Sequence, residues 1–370
     1  MRKYKTPVSI AGRTMLLSLF YAAAGVYAVA DDNSAGSSTT NGEAASKNIW
    51  VGSYEGKTEG DITLSQGKDV LNITDLSQPL DFVKSDVKYD NGAIKGSIKV
   101  DPSSVDLKMK AVSEKGNATV FEAGDINLSK RETFNVAEVG KIDADKIDIS
   151  PVENANFKLE AEAVAEKGEA RAVKVGNIFG GRSSVAAYDY SESKNPEIFE
   201  KKSEKRSDIE IKAVAKGKTL ANAIEATSIY GGNITLDATA VATEGDANAI
   251  SVDQGIHAKD EKSSVKASAG ATNGNAVAVK AGYVDAASVE ASAVSKAQLL
   301  EQQDKSKLAT IGNATAIDAG SIASSSVKAS ALSEGGDANA VKGYIYADED
   351  NLTIEAAAEA KKAQVSESAD

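Results

Sequence analysis

One alternating segment recurs eight times along this chain, and it limits the fold more than any other feature. It runs Val105-Asp106-Leu107-Lys108-Met109-Lys110-Ala111, then Phe157-Lys158-Leu159-Glu160-Ala161-Glu162-Ala163 and Ile209-Glu210-Ile211-Lys212-Ala213. Later copies are Ile234–Ala240, Val265–Ala269, Val289–Ala293, Val327–Ala331 and Leu352–Ala356. Apolar residues at every second position bury one face of a strand and leave the other in water. A second element, Gly-x-Ala-x-Ala-[Val/Ile], starts at Gly168, Gly245, Gly274, Gly312 and Gly336, with weaker copies at Gly116 and Leu220. A lone branched residue follows a few positions later: Ile98, Ile126, Ile178, Ile229, Ile256, Val284, Ile322 and Ile345. Ile317 and Val341 are 24 residues apart, and Ile224 and Ile250 are 26 apart.

Three short strands in about 24 residues make one coil of a single-stranded parallel β-helix, each coil stacked about 4.8 Å above the last. The expected fold is therefore all-β, with the solenoid over 92–360 and a narrow, alanine-rich core. The match begins with Gly92–Ile98. Polar insertions are expected at 186–208 and 296–308, and irregular capping coils at 49–91. Ala, Glu and Lys favour helices, so Lys296–Leu308 and Ala356–Ala363 read as helical exceptions. Asn222, Asn248 and Asn339 share a repeat position and could stack, although Arg171, Val277 and Thr315 interrupt them.

The first thirty residues carry a different signal. Arg2, Lys3 and Lys5 precede the apolar run Met15–Val26, which ends in Ala28-Val29-Ala30 before Asp31-Asp32. A basic start, an apolar stretch and an A-x-A site describe a secretory signal peptide over 1–30. Residues 31–48, rich in Ser, Thr, Asn and Gly, read as a flexible linker, and 361–370 as a polar tail. No later stretch is long and apolar enough to span a bilayer, so the mature chain is expected to have no membrane span. Extracellular or cell-surface placement is expected, with the periplasm as the alternative.

Charge and composition then exclude function classes. The net charge is −12, and a leader with four cations and no acid would leave −16 after cleavage. Such a surface is unsuited to nucleic acid, which is bound through clustered Lys and Arg. The chain has no cysteine and a single histidine, His257, so thiolate and multi-histidine metal sites are ruled out. No cofactor is expected and no enzymatic activity is assigned. Asp143 and Asp145, placed on one strand face, form the closest acidic pair suited to a metal or to acid–base work, although an exposed acidic face is the commoner reading. Phe179, Tyr230, His257 and Tyr346 follow the branched residues and could form an aromatic strip. Such a strip serves either as a stabilising stack between coils or as a platform for sugar faces.

A signal peptide, Ala/Gly/Val/Ser-rich coils of Gly-x-Ala-x-Ala-[Val/Ile], few aromatics and no cysteine resemble the β-solenoid passengers of bacterial surface proteins. Autotransporter-like and haemagglutinin-like adhesins are the families in question. The resemblance covers residues 90–360 and is compositional. It implies export and contact with a host-cell or neighbouring-cell surface, or with envelope glycans. The sequence departs from a self-contained autotransporter in showing no membrane β-barrel strands before Asp370. Two expectations follow. The first is an exported, non-enzymatic solenoid with a structural or adhesive role, self-associating through its ends. The second is a polysaccharide-binding or polysaccharide-degrading β-helix, which would gather Asp143, Asp145 and an aromatic residue in one cleft.

Overall fold

The alternation sets the architecture, because each alternating segment becomes a rung of one long sheet. The computed structural model describes residues 57–64, 80–100, 104–136, 142–190, 197–260, 262–297, 312–346 and 352–361. The leader, the linker, the start of the capping region, residues 298–308 of the second insertion and the tail beyond Lys361 lie outside the described residues. Strands β1 to β5 are Lys57–Leu64, Leu80–Asp81, Val83–Ser85, Lys88–Asp90 and Ala93–Val100. β6 to β9 are Ser104–Ser113, Ala118–Glu122, Ile126–Asn127 and Arg131–Asn135. A 3-10 turn, Ala144–Lys146, precedes β10 (Asp148–Val152). β11 to β15 are Asn156–Ala165, Glu169–Lys174, Asn177–Phe179, Ser184–Tyr188 and Glu197–Lys202. β16 to β20 are Ile209–Gly217, Leu220–Gly231, Ile234–Ala242, Asp246–Ala258 and Ser264–Thr272. β21 to β26 are Ala276–Asp285, Ser288–Lys296, Ala314–Ala323, Ser326–Glu334, Ala338–Tyr346 and Thr353–Lys361.

The fold is a parallel β-solenoid. Its first sheet runs β1-β6-β11-β16-β18-β20-β22-β24-β26 and collects all eight alternating segments. Every pair after β1 is parallel and in register, whereas β1 lies antiparallel on β6 and closes that end of the sheet. The second sheet carries the Gly-x-Ala-x-Ala and branched-residue elements, ending β17-β19-β21-β23-β25. In the early coils these two elements are separate strands, β7 with β8 and β12 with β13. From β17 onward they merge into one strand with a register shift, as between Ala226 and Ser228. There the ladder hydrogen bonds continue through the bend as a bulge.

Each inward column has one character. Leu107, Leu159, Ile211, Leu236, Val265, Val289, Val327 and Ile354 share a column of the first sheet. Next to it, Met109 is followed by Ala161, Ala213, Ala238, Ala267, Ala291 and Ala329, all buried. On the second sheet, Ala118, Ala170, Ala221, Ala247, Ala276 and Ala314 form another buried alanine column. Alanine reaches too short a distance to fill a wide interior, so facing alanine columns require the sheets to lie close. The core is broader toward the N-terminal coils, where the Phe157 ring lies 6.4 Å from Phe82 and 6.2 Å from Phe121.

The coil length departs from the expectation in one half. Successive residues of the Leu107 column are 52, 52, 25, 29, 24, 38 and 27 positions apart. The two 52-residue coils make a detour into small side sheets. One is β10-β5-β3, with β4 also on β5, and the other is β15-β14-β9. Gly92–Ile98 therefore does not join the repeat. It lies in β5, antiparallel to β3 and β4, and Ile98 stands opposite Val152 instead of in the Ile126 column. Residues 186–208 enclose most of a β-hairpin, with β14 parallel to β9 and antiparallel to β15. Val185, Ala186 and Ala187 of that hairpin are fully buried. Ala356–Lys361 forms a strand, not a helix, because in-register pairing with β24 engages alternate residues of its backbone and outweighs alanine's helical preference. No helix among the described residues is long and apolar enough to cross a membrane.

Candidate functional site

Stacking in register turns each outward position into a continuous column. The position after Leu107 reads Lys108, Glu160, Lys212, Asp237, Lys266, Glu290, Lys328 and Glu355 from one rung to the next. Asp61 of β1 stands in register opposite Lys108. The sign alternates at every rung without exception. Identical charges in such a column would lie about 4.8 Å apart and repel; alternation converts each contact into an attraction. Lys108 lies 3.3 Å from Glu160, Lys266 4.0 Å from Glu290 and Lys328 3.5 Å from Glu355.

Two columns of hydroxyls flank the charges in the later coils. One is Thr235, Ser264, Ser288, Ser326 and Thr353, and the other is Thr239, Ser268, Ser292 and Ser330. The Ser330 hydroxyl donates to Ser292 across one rung at 3.1 Å. In the earlier coils the second column reads Lys110, Glu162 and Val214 instead, and between the two rows lies an open trough of about 620 Å³. Its floor is formed by Met109, Ala161 and Ala213, and its walls by Lys108, Lys110, Glu160, Glu162 and Lys212. Glu160 and Glu162 are each held between two ammonium groups. Glu160 lies 3.3 Å from Lys108 and 4.0 Å from Lys212. Glu162 lies 3.2 Å from Lys110 and 3.7 Å from Lys216. The Glu210 carboxylate hydrogen-bonds Lys212 within its own strand at 2.8 Å. That contact holds the Glu210 carboxyl below its ordinary range and raises the Lys212 ammonium above its own.

Corner residues lock the rungs together from the side. Asp246 Oδ1 accepts the Asn275 backbone N–H at 2.7 Å, Asn275 Oδ1 accepts that of Asn313 at 3.0 Å, and Asn313 Oδ1 accepts that of Asp337 at 2.8 Å. At a second corner Asp125 accepts from Asn177, which accepts from Ser228. At the third, Asn156 accepts from the Asp208 backbone, and Asp208 from Asn233. A short carboxyl or amide side chain spans one rung, which is why Asn and Asp fill these places. The signal was present in the sequence as the second residue of Gly-x-Ala: Asn117, Asp246, Asn275, Asn313 and Asp337.

The acidic and aromatic residues singled out from the sequence do not gather in one cleft. Asp143 precedes a single 3-10 turn and Asp145 lies within it, instead of the two sharing a strand face, because the chain there is turning into β10. Asp143 Oδ1 accepts the Asp145 N–H at 3.2 Å, and its other oxygen pairs with Lys146 at 3.2 Å. The Lys146 contact holds the Asp143 carboxyl below its usual range. Neither residue lines the trough, and no aromatic side chain lines it either. Among the described residues no group of three His, Asp or Glu side chains is placed to hold a metal.

Phe179, Tyr230 and His257 do occupy consecutive rungs of one outward column. Asp285 and Ala323 then intervene before Tyr346. Phe179 is 40% exposed and Tyr346 44%. The His257 ring packs on Tyr283, with centroids 5.0 Å apart. Burial pushes the His257 imidazole below its ordinary value, nearby Lys259 adds to this, and Asp285 opposes it. Asn248 Nδ2 donates to Asn222 Oδ1 at 3.0 Å, so those two amides stack, and Asn339 stands apart beyond Val277 and Thr315. Comparison with known protein families, characterised proteins and solved structures finds no match.

Proposed function

We propose that this chain is an exported, non-enzymatic β-solenoid with a structural or adhesive role at the bacterial envelope or surface. One observation carries the reading: the outer face of the first sheet is an ordered array in which charges of opposite sign clamp one another from rung to rung. A carboxylate held between two lysines is committed to cohesion, and the trough offers it no histidine or aromatic neighbour. Corner ladders and a close-packed alanine interior stiffen the same body. A stiff rod with a patterned face suits contact with a cell surface or with envelope glycans.

Protease shaving of intact cells tests this, with a cytosolic and a periplasmic protein as controls. Cleavage within 188–207 while both controls stay intact, together with weaker attachment of cells lacking the chain, is the expected result. Release of reducing sugars from envelope polysaccharide by the purified chain would overturn it in favour of the polysaccharide-acting alternative. Protection until the outer envelope is opened would remove the adhesive role and leave an envelope scaffold.

A further inference from the structure

Among the described residues β26 is the last rung of the first sheet, and its inward face is exposed. Val327, Ala329 and Ala331 of β24 are 0%, 5% and 4% exposed, yet Ile354, next in the Val327 column, is 48% exposed. Every residue of β26 is exposed. Its backbone is also one-sided. The Thr353 N–H donates to Ser325 O, and Lys361 O accepts from the Gly335 N–H, so the odd-numbered residues face β24. By the alternation of strand hydrogen bonding, the N–H and C=O of Ile354, Ala356, Ala358 and Ala360 point to the open edge. These are the same residues whose side chains continue the inward columns.

We infer that this edge pairs with the same edge of a second copy of the chain, β26 antiparallel to β26, so that two solenoids join end to end through their last coils. Any even-to-even register covers inward side chains with inward side chains and satisfies the edge groups. Charge chooses among these registers. Centring the pair on Ala357 would set Glu355 opposite Glu359 of the second copy, a like-charge contact. Centring it on Ala358 sets Glu355 opposite Lys361, twice by symmetry, and continues the alternation Glu290, Lys328, Glu355 by one more step. The inference does not depend on what the solenoid's faces bind.

The chain has no cysteine, so a single introduced thiol reports the contact. In the Ala358-centred register the two Ala358 residues stand directly opposite, with Cα atoms about 5.5 Å apart, within disulfide reach. With the full chain processed as in the cell, light scattering over a concentration series should show the mass doubling. Mild oxidation should cross-link Ala358→Cys and leave Ala356→Cys and Ala357→Cys as single chains. Lys361→Glu should weaken association about tenfold, since it replaces two attractive pairs with two repulsive ones. Circular dichroism confirms that each variant is folded. A chain that stays monomeric at every concentration overturns the inference, whether its own residues or solvent cover the edge. Equal cross-linking at all three positions, or none in a dimer that forms, overturns the register and orientation.

Discussion

Glycine at the coil boundary is the residue on which the stacking depends most directly. A Cβ built on Gly312 would overlap the carbonyl group of Gly274, one rung below, and crowd the Ser295 hydroxyl. That hydroxyl already donates to Gly274 O at 2.7 Å, so neither neighbour can retreat without losing a buried hydrogen bond. Gly312→Ala should therefore cost about 2 kcal/mol or more in urea denaturation, and a loss near zero would show that the rungs can slide. His257 supplies a second test at this scale. Its folded-state value lies below that of the unfolded chain, chiefly through burial and then through Lys259. The unfolded chain thus takes up the proton first as pH falls. The stabilising effect of the neutral ring is fully present above the unfolded value, about 6.5, and is lost as pH falls through the folded value. Stability should decline as pH falls from about 7.5 through the unfolded value, and His257→Gln should flatten that decline. Equal slopes for both proteins would exclude His257 as the source.

At the scale of the strand, the alternating charges act as a device for register. A parallel sheet of alanine and serine rungs has little to distinguish one pairing from a slip by a whole repeat. The charge column supplies a distinction, because skipping one rung brings two like charges together where the flanking rungs meet. Glu290→Lys would put a third ammonium group between those of Lys266 and Lys328, making three consecutive rungs alike in sign. Two like-charge contacts replace two attractions, a loss on the order of 1 kcal/mol at low salt that should shrink as salt screens it. Denaturation midpoints at low and high salt decide the matter; a penalty that ignores salt would point to packing instead. This column was hidden in the sequence because alternation is visible only once the partners are known. The period-2 pattern made the strands legible, and Gly-x-Ala located the coils. The 52-residue coils were not legible, since their side sheets use short strands such as Val83–Ser85 that carry no repeat signature. Gly92–Ile98 matched the motif locally and was claimed by β3, β4 and β10, a choice that only tertiary pairing could make. Asp143 and Asp145 misled for a related reason: their spacing fits a strand face, but the chain turns there.

Stability of the whole molecule should be graded along its axis, because a solenoid rung is supported only by its neighbours. An interior rung has two neighbours, and the last has one. The interior changes in the same direction, from the Phe82, Phe121 and Phe157 cluster to columns of alanine and valine, and smaller side chains contribute less apolar burial per rung. At the other end of the first sheet, β1 pairs antiparallel with β6 and covers its outer edge. Opening should therefore begin at β25 and β26 and proceed inward, with β6, β11 and β16 last. Hydrogen exchange followed by mass spectrometry measures this order. In Lys361→Glu, held at low concentration to keep it monomeric, amides of β26 should exchange fastest and those of β11 slowest. Wild type at high concentration should differ at one end alone, with Ile354, Ala356, Ala358 and Ala360 gaining protection as the edge is paired. Uniform protection from β6 to β26 in the monomer would mean that the coils unfold as one cooperative block. The charge column would then be coupling rungs far more strongly than exposed ion pairs usually do.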